Sequence, residues 1–175
     1  KYLVSIEFVN NLKTNPMEEV CMRILKMYFQ YRFQEEIRGE RGAAYSVQVL
    51  GEVSSKPRYQ QELFIRFATS LDEGPRMREL VHEQIQEFLK QGMTNEDVED
   101  FVLSIEKEKK SVDEMAYNTI AFWTENLQFY NKTGKRMDSP VYFDAVIDKI
   151  KARNVLGFAR RFFNTAQCVD LVIKS

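Results

Sequence analysis

The sequence predicts an α+β fold, in which a mostly antiparallel sheet has helices packed on one face. Four segments carry strand signals, and most of the remaining chain repeats its apolar residues at helical spacing. The order is strand, helix, two strands, several helices and a final strand, so strands and helices are largely segregated along the chain. A short turn joins the two middle strands, which favours antiparallel pairing.

Composition predicts a single domain over residues 1–175. The chain has 44% hydrophobic and 29% charged residues, enough for a core and a solvated surface, which excludes wholesale disorder. It has no linker rich in Gly, Pro or Ser, and no internal repeat. A net charge of −1 argues against a broad surface for nucleic acid or anionic membranes. No apolar run reaches the ~18 residues that a membrane span needs.

The chain begins with a predicted strand and a long predicted helix. Residues 2–8 alternate apolar and polar side chains, as a strand with one buried face does. Asn15, Pro16 and Glu18 form a helix start, with asparagine as the N-cap and proline at the first helical position. Apolar residues at helical spacing then predict a helix that ends near Arg38.

Two strands and another helix follow. Alternation over 45–53 and over 63–67 predicts the second and third strands, with a turn at 54–57 between them. The segment 72–75 opens a helix whose C-terminal cap is Gly92.

The second half of the sequence is predicted to be mainly helical. The segment 94–97 has the form of a capping box that begins a helix, and Ser111 with Glu114 repeats that signal. The remaining predicted elements are a helical face over 115–130, a turn at 131–134, helical spacing over 146–163 and a final strand over 168–173.

The cysteines and the single histidine form no recognisable metal or redox motif. Cys21 and Cys168 are too few for a disulfide scaffold or a four-cysteine zinc site. We interpret them as buried small hydrophobic residues, although a disulfide between them stays open. His82 is followed four residues later by Gln86, so neither a zincin motif nor the inverted HxxEH is present. We expect His82 to face solvent beside the apolar stripe of its helix.

Acidic and aromatic clusters have structural interpretations. Residues 18–19 and 96–100 fall in or beside predicted first helical turns, where the helix dipole favours negative charge. The run 106–110 is typical of a solvated helix face. The aromatic residues of 28–33 favour core packing, and the alternative is a wall that contacts peptides.

The segment 33–47 is the most distinctive, because it joins a helix end, a glycine-containing turn and a strand start. It places Arg38 and Tyr45 seven residues apart, on two different elements. A guanidinium there can hold a carbonyl or carboxylate, and a phenol can donate to a developing oxyanion. The alternative is an arginine that caps the helix and a tyrosine that begins a half-buried strand.

Residues 38–45, Arg-Gly-Glu-Arg-Gly-Ala-Ala-Tyr, resemble the R-x-E-x-G-x-x-Y stretch in the C-terminal half of insulinase/pitrilysin-family zinc metallopeptidases. The segment looks closest to the PqqL-like bacterial branch. The junction 92–97 and the order of the elements follow the same family pattern, whereas Ala43-Ala44 departs from it. The resemblance implies the fold of insulinase and mitochondrial-processing-peptidase-like metallohydrolase domains. It also implies that 1–175 is an excised domain of a larger peptidase's C-terminal half.

In that family, four homologous domains pair into two halves that close around a peptide, and the first half binds zinc through HxxEH. The resemblance implies a non-zinc, substrate-binding domain that helps to close the peptide chamber and position the scissile bond. Arg38 would orient the substrate backbone, and Tyr45 would hydrogen-bond the carbonyl or oxyanion. Because HxxEH is missing, we expect no zinc in this chain and no peptidase activity from it alone.

The implied partners are a peptide or small-protein substrate and the zinc-bearing N-terminal half, either in the same chain or as a separate subunit. No nucleic acid partner is expected. The bacterial relatives imply a periplasmic location. Two alternatives stay open: a catalytically silent family subunit that acts as a peptide-binding or scaffold protein, and a helix-rich interaction module that uses the surface of residues 28–33.

Overall fold

The structure, a computed structural model, consists of strands and helices in the predicted order. It describes residues 1–39, 44–54, 57–116, 119–134 and 146–174. Its elements are β1 (Tyr2–Asn10), α1 (Pro16–Gly39), β2 (Ala44–Ser54), β3 (Gln60–Thr69), α2 (Gly74–Gln91), α3 (Asn95–Ala116), α4 (Ile120–Thr133), a 3-10 turn (Ile147–Lys149), α5 (Ala152–Thr165) and β4 (Gln167–Lys174).

The strands form one antiparallel sheet in the order β2-β3-β1-β4. At one end of the sheet, Tyr2 of β1 lies between Thr69 of β3 and Lys174 of β4. β2 pairs with β3, with a shift of register between Ala44 and Ser46. The predicted antiparallel sheet is confirmed, and β2 and β4 are its edges within the part of the chain that the structure describes.

One face of the sheet and the helices share a hydrophobic core. Alternate residues of the two central strands are buried there: Tyr2, Val4, Ile6, Phe8, Leu63, Ile65 and Phe67. The helices add large side chains that solvent does not reach, among them Phe29, Phe88 and Phe162. Full burial of each such side chain stabilises the fold by roughly 1.5–3 kcal/mol. The apolar stripes of the helices therefore hold them on this face of the sheet.

Two predicted helix starts are confirmed by reciprocal hydrogen bonds. At α1, the backbone N–H of Glu18 donates to Asn15 Oδ1 at 3.0 Å, and the Asn15 N–H donates to the Glu18 carboxylate at 3.1 Å. At α3, the Asp97 N–H donates to Thr94 Oγ1 at 3.1 Å, and the Thr94 N–H donates to the Asp97 carboxylate at 2.7 Å. Gly92, at a φ of 72°, ends α2 as predicted. These boundaries are encoded by local sequence.

The predicted helix start at Ser111 is wrong. Ser111 lies inside α3, which continues to Ala116. The next helix begins instead after Thr119, whose hydroxyl accepts a hydrogen bond of 3.3 Å from the backbone N–H of Phe122. A serine and a glutamate at capping distance also fit a helix interior, because nothing at Ser111 interrupts the helical backbone.

Two other expectations need adjustment. The segment 146–163 is not one helix, because the backbone is extended at Ile150 and Lys151, between the 3-10 turn and α5. The turn predicted at 131–134 is the end of α4, capped by Gly134 in the left-handed conformation. The turn at 54–57 includes residues outside the described part of the chain.

None of the described helices is long and apolar enough to cross a membrane.

The apolar face of α4 points outward. Ile120, Trp123, Leu127 and Tyr130 follow helical spacing, as predicted, yet all four are exposed, Ile120 by 87%. The buried side of the helix carries Phe122 and Asn126 instead. Helical spacing identified the helix without indicating which side packs.

Candidate functional site

Arg38 and Tyr45 lie on either side of one helix-to-strand connection. Arg38 is next to last in α1, and Tyr45 is second in β2. Residues 40–43 and the side chains of Arg38 and Tyr45 lie outside what the structure describes. The strand pairing places Tyr45 at one end of the sheet, beside the Ala44–Thr69 pair, and Arg38 lies seven residues before it along the chain.

Tyr45 lies at an irregularity of the sheet. Ala44 pairs with Thr69 and Ser46 pairs with Ala68, so Tyr45 is the additional residue of a β-bulge. Bulges re-aim a side chain and are frequent beside active sites. The sequence pattern predicted a strand start at Tyr45 but gave no sign of this irregularity.

Gln30 ties α1 to the strand that carries Tyr45. Its side-chain amide donates to the Val47 carbonyl at 2.9 Å, and its Oε1 accepts from the Val49 N–H at 2.8 Å. The amide thus satisfies two backbone groups of an edge strand, in the way that a neighbouring strand would. The part of α1 around Gln30 and residues 47–49 of β2 are therefore fixed relative to one another.

The end of α1 is also anchored in the core. Phe29 and Phe33 are fully buried and stack at 5.3 Å between ring centroids. Arg32 pairs with Glu36 at 3.2 Å and donates to the Gln84 side chain at 3.1 Å. The segment that leads to Arg38 is consequently held by packing as well as by polar contacts.

The interaction module based on residues 28–33 is not supported by the packing. Phe29 and Phe33 are inaccessible, and Tyr28 packs against Phe88 at 4.8 Å between ring centroids. Only Tyr31 among these aromatic side chains is largely exposed. The cluster is core, which was the favoured interpretation of the sequence.

The surroundings of His82 do not fit a zinc site. His82 Nε2 lies 3.0 Å from an oxygen of Asp170, and Arg78 Nε lies 3.6 Å from the same oxygen. A metal ion there would have to compete with the guanidinium. The described residues contain no group of three His, Cys, Asp or Glu side chains placed to hold a metal. His82 is only partly exposed and links α2 to β4, so the expectation of a plain solvent-facing residue was incomplete.

The two cysteines are free thiols in different environments. Cys21 is buried in α1, and burial raises its pKa to about 12. Cys168 is exposed on β4, so the expectation that both are buried is wrong for this residue. Partial desolvation and the Asp170 carboxylate raise its pKa to about 11. Neither thiol has the lowered pKa of a catalytic nucleophile.

A groove lies on the sheet face opposite the core. Its volume is about 410 Å³, and its lining includes Leu3, Arg66, Ala68, Leu171 and Ile173. Leu3, Leu171 and Ile173 are 40%, 51% and 64% exposed. Sequence reasoning missed this feature, although the nearly continuous apolar run of the last strand is a signal for apolar residues on both faces.

No protein-family model and no curated protein matches this sequence. Solved structures do match it. The periplasmic protease PqqL from Escherichia coli has a TM-score of 0.75 over 99% of this chain, at 13% identity. The inactive domain of a peptidase M16 from Pseudomonas fluorescens has a TM-score of 0.71 over 98%, at 14% identity. A predicted insulinase-family protease from Yersinia pestis has a TM-score of 0.70 over 100%, at 8% identity.

The chain has the insulinase-family peptidase fold. This confirms the fold that the segment 38–45 and the order of the elements implied. The chain spans 19% of the E. coli structure and 41% and 40% of the other two. In those proteins, the insulinase-family fold found here is one part of a longer chain.

Proposed function

We propose that this chain is a non-zinc, substrate-binding domain of an insulinase-family metalloendopeptidase. In this role it helps to close a peptide chamber and to position the scissile bond. The supporting observation is the placement of Arg38 and Tyr45 on two elements that Gln30 joins through hydrogen bonds of 2.9 and 2.8 Å. The likeness of the fold to an inactive M16 domain supports a domain without its own catalytic centre.

The two residues supply complementary donors. The Arg38 guanidinium would donate to a carbonyl of the substrate backbone and so orient the peptide. The Tyr45 hydroxyl would donate to the scissile carbonyl oxygen as negative charge develops on it. A donor that binds more strongly as this charge grows lowers the barrier, because it stabilises the transition state more than the substrate.

In this proposal another part of the enzyme binds zinc, which is consistent with the missing HxxEH and with the Arg78 and Asp170 contacts around His82. When bound there, zinc supplies a polarised carbonyl and an activated water. The proposed partners are therefore a peptide or small-protein substrate and a zinc-bearing half, covalently joined or separate. We also propose a periplasmic location for this protein, because the structurally similar E. coli protease is periplasmic.

A second candidate is a catalytically silent subunit that binds peptides or acts as a scaffold. The inactive domain among the solved neighbours favours keeping this candidate. It differs from the first in one property of the parent protein, because a silent parent would carry no HxxEH in any of its domains.

Peptide mapping and zinc analysis of the native parent protein separate the two candidates. The first predicts an HxxEH peptide, in the same polypeptide or in a co-purifying one, and zinc bound only by that half. A parent without HxxEH would support the silent subunit. Stoichiometric zinc together with peptide hydrolysis by residues 1–175 alone would contradict both.

A further inference from the structure

The groove on the outer sheet face lies along a row of paired residues that leads to Ser46, the residue after Tyr45. The strand pairings place Ser46, Ala68, Leu3 and Ile173 in one row across the sheet. This row begins beside the bulge at Tyr45. It forms the apolar side of the groove through Ala68, Leu3 and Ile173.

The next row on the same face of the sheet is mainly polar. Gln48, Arg66, Ser5 and Leu171 are paired in that order, and all four line the groove. The groove therefore has an apolar side near Tyr45 and hydrogen-bonding groups beside it. Small-molecule and side-chain pockets in proteins commonly combine an apolar lining with a few such polar groups.

Arg66 is held in place while its guanidinium stays accessible. Arg66 Nε donates to Ser5 Oγ at 3.3 Å, and the guanidinium lies 5.2 Å from the centroid of the Phe64 ring. Its contact with Glu7 is long, at 3.9 Å, and 49% of the side chain is exposed. Arg66 can therefore donate to a carbonyl of a bound peptide without first losing a strong ion pair.

We infer that this groove is a subsite for one large apolar side chain of the substrate peptide. The aliphatic lining receives an aromatic or branched aliphatic side chain, and Arg66 and Gln48 hydrogen-bond the adjacent peptide backbone. This inference rests on the proposed function, because its occupant is the peptide that reaches Tyr45. A volume of about 410 Å³ lies near the lower end of the range found for small-molecule pockets, which leaves room for one large side chain.

Binding of matched fluorescent peptides to the full-length parent protein tests the subsite. The peptides differ at one position, which is Phe, Leu, Ala or Asp. We expect Phe and Leu to bind at least about tenfold more tightly than Ala, because an apolar pocket discriminates by about 10–200-fold. Ala68→Leu fills the groove and should reduce that preference to less than about threefold. Ala121→Leu, at an exposed position of α4, is the matched control and should leave it unchanged.

A second pair of variants tests the subsite independently, in case Ala68→Leu fails to fold. Leu171→Ala removes part of the lining, and Leu103→Ala removes an equally exposed leucine from α3, both being 51% exposed. Only Leu171→Ala should weaken the preference for Phe over Ala. The subsite is overturned if the unmodified protein shows no preference for Phe over Ala. It is also overturned if both Ala68→Leu and Leu171→Ala keep that preference, a result that is expected where another domain covers the groove.

The result separates the subsite from the proposed function. Tyr45→Phe should slow hydrolysis of all four peptides by a similar factor, whatever their variable side chain. If Tyr45→Phe slows hydrolysis while Ala68→Leu and Leu171→Ala leave the preference for Phe over Ala unchanged, only the subsite is wrong. If Tyr45→Phe has no effect on hydrolysis, the proposed function fails independently of the groove.

Discussion

The side-chain oxygen of Gln30 accepts a hydrogen bond of 2.8 Å from the backbone N–H of Val49. Together with the bond from the same amide to the Val47 carbonyl, this contact closes part of the exposed edge of β2. An edge strand with free backbone groups pairs readily with other chains, so the contact has a protective role. It also fixes the helix that carries Arg38 against the strand that carries Tyr45.

Replacing Gln30 by methionine tests that connection. Gln30→Met keeps the length of the side chain but leaves the Val47 carbonyl and the Val49 N–H without their partner. The free energy of unfolding should fall by about 1–3 kcal/mol. Gln86→Met, at an exposed position of α2, should change it by less than about 0.5 kcal/mol. Urea unfolding of both variants measures the difference, and equal effects would show that the Gln30 contact has no special role.

Gly74 is required by the close approach of Tyr2. A Cβ atom at position 74 would lie 2.2 Å from the nearest atom of the Tyr2 ring, which is itself buried. Gly74→Ala should therefore lower the free energy of unfolding by about 1–3 kcal/mol through overpacking.

Gly157 provides the matched control. It lies inside α5, and an added Cβ would meet nothing within 4 Å. Gly157→Ala should raise the free energy of unfolding by about 0.5–1 kcal/mol, because alanine restricts the unfolded chain and favours helix. Thermal unfolding of the two variants should shift in opposite directions. A destabilised Gly157→Ala or a neutral Gly74→Ala would contradict this packing.

Stability at alkaline pH should depend on Cys21. Burial raises the pKa of this thiol from about 9 to about 12, and Glu18 acts in the same direction. Between these values the unfolded chain releases the proton while the folded chain keeps it. The contribution of Cys21 is thus fully present below about pH 9 and is lost as the pH rises toward about 12.

The pH dependence of Cys21→Ala isolates this effect from other groups that titrate in the same range. Between about pH 9 and pH 10.5, the unfolding free energy of the unmodified protein should fall more steeply than that of the variant, by up to about 1.4 kcal/mol per pH unit. Chemical unfolding at several pH values gives both slopes. Parallel slopes would show that the Cys21 thiol titrates alike in the folded and unfolded chains.

Local sequence signals predicted the parts of the fold that local contacts determine. The alternation of Val4 and Ile6 gave the phase of β1, and the Asn15–Glu18 pair gave the start of α1. Ser111 shows the limit of such signals, because a capping pattern also fits the interior of a continuous helix. The outward position of Leu127 depends on what lies beside α4, which helical spacing does not encode.

The candidate site shows the same difference between features that local sequence predicts and features that depend on distant contacts. Spacing along the chain placed Arg38 and Tyr45 on a helix end and a strand start, and the backbone agrees. The bulge at Tyr45 arises from pairing with Ala68 and Thr69 of β3, which lie 23 and 24 residues further along the chain. The groove needs four strands in register, with Ala68, Leu3 and Ile173 brought together across the sheet. Such long-range juxtapositions follow from topology and have no local sequence signature.

The central claim is that the Tyr45 hydroxyl assists peptide hydrolysis. The most direct test is the turnover of the Tyr45→Phe variant of the full-length protein, assembled with its zinc-bearing half. Loss of an oxyanion donor should lower kcat by about 10–1000-fold while peptide affinity changes little. Tyr31→Phe is the matched control, because Tyr31 is 56% exposed and its hydroxyl donates only to Glu35, at 2.7 Å, among the described contacts. The account predicts a large loss for Tyr45→Phe alone. Equal kcat values for the two variants would contradict it.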